Sequence, residues 1–232
     1  MALFALADPH LSHRSNKPMD MFGDHWVDHV PRMAQAWDAL VRPEDVVLCP
    51  GDISWALRLD EAMDDLAWLG QRPGTKVLCR GNHDYWWTSI SKVRAAIPDS
   101  CRALQNDAVD LGEYVVCGSR LWAAPGALDF EPKDQKIYER EVGRLKLSLE
   151  AARKVAGGRK LVVMVHYPPF TARGQHTDFS RLICQSGATL CVYGHLHGAR
   201  AHATAVEGVV DGVAFHLVAC DRLGFVPKAL AP

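Results

Sequence analysis

Seven side chains able to bind a cation, Asp8, His10, Asp52, Asn82, His166, His195 and His197, follow five short apolar runs. Asp8 and His10 come after ALFALA, Asp52 after VVLCP and Gly51, and Asn82 after KVLCR and Gly81. His166 comes after LVVMV, and His195 and His197 after TLCVY and Gly194. Two aspartates, one asparagine and four histidines supply oxygen and imidazole donors with no thiolate among them. That set suits Mn, Fe, Zn, Co or Ni rather than calcium or a structural cysteine–zinc site. It also exceeds what one tetrahedral ion needs, whereas two ions sharing a bridging carboxylate would use every member.

Positioning five such clusters is the work of the strands before them. In parallel α/β sheets, ligand sites gather outside the carboxyl ends of strands, so five strands releasing Asp, Asn or His at one edge make them converge. Apolar runs predict strands at 2–7, 45–49, 75–79, 160–165 and 189–193. Helical spacing of apolar residues falls between them. Trp26, Val30, Met33, Trp37 and Leu40 predict a helix within 20–41 that Pro31 should bend or divide. Leu59, Met63, Leu66 and Leu69 predict another within 58–70. Shorter helices are expected near 88–97, stopped by Pro98, and near 178–186. Ile137, Val142, Leu145, Leu149 and Val155 mark a long helix in 133–156, ended by Gly157-Gly158. Runs at 201–206, 208–211 and 213–219 read as an antiparallel C-terminal meander, which makes the chain α/β with mixed sheets.

Each cluster has an ordinary reading when taken alone. Asp8-Pro9-His10 and Gly51-Asp52 would pass for turns, Asn82-His83-Asp84 for a helix cap, and His166 for a core histidine. Their conjunction, always after an apolar strand, is what carries the metal reading.

Composition bounds the partners. The chain has 232 residues, 48% apolar and 23% charged, which is ordinary for one globular domain spanning 1–232. A formal net charge of −1 argues against bulk nucleic-acid or anionic-membrane binding. No segment reads as a signal peptide or membrane span. Seven cysteines without a C-x-x-C pattern, mostly inside apolar runs, read as buried thiols kept reduced, and point to the cytoplasm.

The order D-x-H, GD, GNHD, H, GHxH resembles the calcineurin-like metallophosphoesterase superfamily from Asp8 to His197. GDISWAL, GNHDYWW, VHYPPF and YGHLHG are similar to a group of small bacterial predicted phosphohydrolases within it. The resemblance implies a four-layer α/β/β/α metallophosphoesterase sandwich. It assigns Asp8, His10, Asp52 and His197 to one ion, with Asp52 bridging to a second held by Asn82, His166 and His195. His83 then corresponds to a catalytic histidine, with Asp84 expected to orient its ring. The chain departs from the Ser/Thr protein phosphatases, whose GDxxDRG block has a second Asp where Trp55 stands here. It departs from the lipid A precursor pyrophosphatases too, which usually carry Arg at the position of His83.

The activity so implied is hydrolysis of a small phosphomonoester, phosphodiester or nucleotide by in-line attack of a metal-bridging hydroxide, with manganese favoured among the candidate ions. Arg120, Tyr167 and Trp86 are the expected substrate contacts, the first for phosphate and the aromatics for stacking. A nucleotide–lipid or dinucleotide pyrophosphatase is the alternative enzyme. A non-catalytic scaffold of the same fold is the alternative class, disfavoured because no ligand is missing. Neither the physiological substrate nor the oligomeric state is legible.

Overall fold

A computed structural model describes residues 1–15, 17–127 and 130–230. Its elements run β1 (Leu3–Ala5), α1 (His29–Leu40), β2 (Val46–Cys49), α2 (Met63–Gln71), β3 (Thr75–Cys79), α3 (Ile90–Ala96) and β4 (Cys101–Leu104). Then follow β5 (Ala108–Asp110), β6 (Tyr114–Cys117), α4 (Gln135–Ala156), β7 (Lys160–Met164), α5 (Asp178–Cys184) and β8 (Leu190–Tyr193). The last are α6 (Gly198–His202), β9 (Gly208–Val210), β10 (Val213–Leu217) and β11 (Lys228–Leu230).

Two mixed sheets result. One has the order β11-β1-β2-β3-β4, parallel except for β11, and the other β5-β6-β7-β8-β10-β9, parallel except for its edges β5 and β9. Alternation along each strand explains how they stack. On β1 and β2, Leu3, Ala5, Val46 and Leu48 share one cluster with Val116, Val162, Met164 and Val192 of the other sheet. The intervening Phe4, Val47 and Cys49 face Trp37, Leu66 and Val93 of the first three helices. Val163 and Cys191 face Leu145, Leu149 and Ile183 of α4 and α5 on the far side. Because both faces of each sheet are covered, central strands such as β1, β2 and β8 are apolar along their length, and the layers run helix, sheet, sheet, helix.

The sheets touch at the carboxyl ends of β1 and β10. Ala7 N donates to Val218 O (2.7 Å) and Cys220 N to Ala7 O (3.0 Å). That seam brings polar loops from both sheets to one place.

Several expected boundaries moved. The 20–41 segment opens with 3-10 turns at Met19–Phe22 and Asp24–Trp26, and the helix starts only at His29. Pro31 thus sits in the first turn, where its missing N–H has no intrahelical acceptor to lose, and it breaks nothing. The 58–70 helix begins at Met63. At the C-terminus, residues 198–202 are helical, β10 pairs antiparallel with β9 but parallel with β8, and β11 returns to β1. The expected three-run meander is thus a hairpin plus a crossing strand. β4 and β5, four and three residues long and partly polar, carried no periodicity to find. Among the described residues no helix is long and apolar enough to cross a membrane.

Phe215 on β10 is fully buried, with its ring 4.9 Å from Phe170. Phe215→Ala should destabilise by about 3–5 kcal/mol, measured as a lower urea midpoint at unchanged m value.

Candidate metal centre

At the seam, the expected donors come together. Asp8, His10 and His197 offer atoms lying within 4.8 Å of one another, and so do Asp8, Asp52 and His166. Asn82 Oδ1 stands 2.7 Å from His166 Nε2 and 2.9 Å from His195 Nδ1. Asp52 Oδ2 lies between the two groups, 3.8 Å from His10 Nε2 and 3.5 Å from His166 Nε2. Asp8, His10, Asp52 and His166 are essentially inaccessible to solvent.

The backbone is bent hard to achieve this. Asp8, His10, Asp52 and His195 all have positive φ, at 58°, 46°, 51° and 72°, a region unfavourable for residues bearing a Cβ and concentrated at functional sites. The glycines before the ligands are needed for close approach. A Cβ on Gly81 would fall on Asp52 Oδ1, and one on Gly194 on Asp8 Oδ2. Two main-chain bonds orient the carboxylates. His83 N donates to Asp52 Oδ1 (2.8 Å), leaving Oδ2 for the cluster, and His195 N donates to Asp8 Oδ2 (3.0 Å).

The donor chemistry fits a cation on its own evidence. His166 Nδ1 faces the carbonyl of Pro50 at 2.8 Å, and a carbonyl only accepts, so the ring's proton belongs there. Its Nε2 lone pair then points at Asn82 Oδ1 and Asp52 Oδ2, two more acceptors. A second proton is no remedy, since burial takes the ring's pKa down to about 3. Burial likewise pushes Asp8 and Asp52 above the usual carboxylate range and His10 and His195 below the usual imidazole range. Acceptors so arranged repel unless a positive ion takes their lone pairs.

Asp221 was missed by sequence reasoning. Its carboxylate meets His197 Nδ1 at 3.0 Å and accepts from Gly198 N at 2.9 Å. Burial works against a charged His197, yet the Asp221 bond and the charges of Asp8, Asp221 and Asp52 outweigh it and raise the ring to about 9. This is a carboxylate–histidine arrangement that fixes a ligand's tautomer and strengthens it. The signal was available, since Cys220-Asp221 is one more aspartate just past an apolar strand.

Two cavities flank the centre. One of about 440 Å³ has Trp122, Tyr167, Phe170, His195, His197 and Arg200 in its wall. The other, about 300 Å³, is bounded by His10, Phe22, Trp26, Trp55, His83 and His197. His83 packs on the Trp55 ring at 4.4 Å, and Trp55 stacks on His10 at 4.7 Å with Lys17 Nζ 3.4 Å above its face. Burial, only partly offset by Asp52, keeps His83 below the usual imidazole range and neutral near pH 7.

Three expected contacts are corrected or relocated. Asp84 does not orient the His83 ring. Its carboxylate instead accepts from Ile53 N (2.9 Å), Ser54 N (3.1 Å), Gly81 N (2.8 Å) and Trp86 Nε1 (2.8 Å), stapling the Asp52 loop to the Asn82 loop. Its own burial, reinforced by Asp52, raises its pKa to about 7. Trp86 cannot touch substrate, because it is 0% exposed and packed in the first sheet's core. Arg120 extends towards Glu141 (3.3 Å) and over Trp122 (4.6 Å), and it is not in the wall of either flanking cavity. Tyr167 does line the larger one, its ring 4.0 Å from His195.

Comparison with known proteins agrees with this geometry. A family model described as calcineurin-like phosphoesterase matches residues 1–199. The Gene 66 protein of Mycobacterium phage L5 is 35% identical over 78 residues, 34% of this chain and 37% of that protein. That of Mycobacterium phage D29 is 47% identical over 57 residues, 25% of this chain and 28% of that protein. The matched stretches therefore span little more than a third of those relatives. Among solved structures, a phosphopantetheinyl hydrolase from Mycobacterium tuberculosis superposes with a TM-score of 0.59 at 16% identity, covering 100% of this chain and 96% of that one. A protein of unknown function from Aquifex aeolicus gives 0.52 at 13% identity, covering 98% and 95%. At such identities these structures speak for the fold alone.

Asp221→Asn should weaken metal affinity by ~10–100-fold while leaving the fold intact, as measured by chelator competition beside circular dichroism.

Proposed function

Since the chain belongs to the calcineurin-like phosphoesterases, metal-dependent hydrolases of phosphoric esters, we propose that it cleaves a small phosphate ester at two divalent transition-metal ions, manganese favoured among them. The observation that carries this reading is the buried set of mutually facing acceptors around Asp52 Oδ2. Asp8, His10, Asp52 and His197 would hold one ion, and Asp52, Asn82, His166 and His195 the other. Such a pair, when bound, supplies charge for an anionic phosphate and acidifies a water for in-line displacement.

The chain's own groups do the rest. Its two carboxylates leave part of the ions' charge uncancelled, so a phosphate dianion is attracted rather than repelled. His83 faces the 300 Å³ cavity, and as a neutral imidazole it donates its N–H to the departing oxygen, a role typically worth ~10²–10⁴-fold in rate. The Trp55 ring holds it there by a tilted ring contact, where a carboxylate would have pinned and charged it. Apolar walls on both sides favour an organic group on the phosphate. We read residues 1–232 as one domain, because ligands from both sheets complete one centre. The near-neutral charge supports a small-molecule substrate over bulk nucleic acid, and the seven free thiols support a cytoplasmic location.

With Mn²⁺, the protein should hydrolyse p-nitrophenyl phosphate or bis-p-nitrophenyl phosphate, and elemental analysis should return close to two ions per chain. His83→Ala should keep both ions and lose ~10²–10⁴-fold in kcat, whereas Asp52→Ala should lose ions and activity together. Metal loss in His83→Ala would overturn the role given to His83. An inert, fully loaded wild type would leave a binding scaffold in place of an enzyme.

A further inference from the structure

Behind the centre lies a third, smaller cleft of about 50 Å³ with Arg80, Asn106, Ser119, Arg120, Glu141 and Arg144 in its wall. Three guanidiniums here face one carboxylate. Glu141 is 1% exposed, and its Oε1 already takes Arg144 (2.6 Å), Arg120 (3.3 Å) and, from outside, Arg140 (3.9 Å). No hydrogen bond or ion pair satisfies Arg80 among the described residues. Its Nε is buried without a partner while the guanidinium stands in the cleft wall.

The cleft wall is also short of hydrogen-bond partners within the chain. Arg80 Nε, Arg120 Nε and Ser119 Oγ are buried donors without partners, and Glu141 Oε2 is a buried acceptor without one. Three guanidiniums against one carboxylate in the cleft wall leave an excess of positive charge and of N–H donors that complements a tetrahedral oxyanion. Inorganic phosphate and a phosphate end, which is largely a dianion at neutral pH because its second ionisation lies at about pH 6, both have that form. Guanidinium forks suit such an anion better than ammonium groups would. The volume holds a few waters or one such anion, not an organic ring.

The cleft adjoins the centre through the chain. Arg80 immediately precedes Gly81-Asn82, and Arg120 O accepts from Tyr167 N (3.0 Å) beside His166.

We propose that Arg80, Arg120, Arg144 and Ser119 form a second oxyanion site, distinct from the metal centre, which takes a phosphate group. Two sources share that chemistry, free inorganic phosphate and the second phosphate of a substrate bearing two. The latter source rests on the phosphoesterase reading; the binding itself does not.

Calorimetric titration of Mn²⁺-loaded protein with inorganic phosphate should resolve two sites per chain. Arg80→Gln and Arg144→Gln should each weaken one of them at least tenfold, with kcat on p-nitrophenyl phosphate changed less than twofold. Glu141→Gln removes the opposing charge and keeps an acceptor, so it should tighten the same site severalfold. That opposite sign is one a misfolded variant would not give. A single phosphate site in the wild type, or arginine variants that titrate like it, overturns the proposal. Adenosine 5′-diphosphate separates the sources. A tenfold higher KM in Arg144→Gln identifies the substrate's second phosphate, and an unchanged KM with the cleft affinity lost identifies free phosphate. Absence of any turnover with phosphate still bound twice would defeat the hydrolase reading and leave the cleft standing.

Discussion

His166 Nε2, Asn82 Oδ1 and Asp52 Oδ2 aim lone pairs at one another across 2.7 and 3.5 Å, with His166 and Asp52 buried and Asn82 half-buried. Pro50 O already holds the ring's proton on the other nitrogen, so His166 itself brings no proton to relieve the repulsion. In a low-dielectric interior such a cluster is costly until a cation enters it. The positive φ angles at Asp8, His10, Asp52 and His195 add backbone strain of order 1–3 kcal/mol each. A chain keeps such a place only if surrounding structure fixes it, and much of the fold can be understood as that fixation.

Two mixed sheets, each covered by helices, supply the rigid frame. They meet where β1 and β10 end, and the meeting point is where loops from both sheets release their donors. Asp84 binds one ligand loop to another through three main-chain amides and an indole. Asp65 does similar work at a distance, receiving Ser54 Oγ and His13 N (2.9 Å) from two loops onto α2. These buried acids never face substrate. They make the ligand positions reproducible, and metal chemistry depends on that.

Much of this was legible from residue order. The donors that converge stood out because each is polar and follows an apolar strand, with glycine immediately before Asp52, Asn82 and His195, a pattern that survives without coordinates. Strands and long helices with clear periodicity were found for the same reason. Other features had no local signature. Trp86 and Tyr85 sit side by side in the text, yet one is fully buried and the other half exposed, since burial depends on which way a turn throws the ring. Asp84 was paired with His83 by adjacency, whereas the turn carries its carboxylate back to Ile53 and Ser54. Asp221 lies 24 residues from His197, and only the β8–β10 pairing brings them together. The arginine cleft joins the ends of β3 and β6 with α4, a junction that no motif marks.

The account rests on cations occupying the space between these acceptors. Anomalous diffraction from crystals grown with Mn²⁺ tests that most directly. Two manganese peaks should appear, one among Asp8, His10 and His197 and one among Asn82, His166 and His195, both touching Asp52. A single peak elsewhere, or none with the acceptors still facing one another, would contradict it.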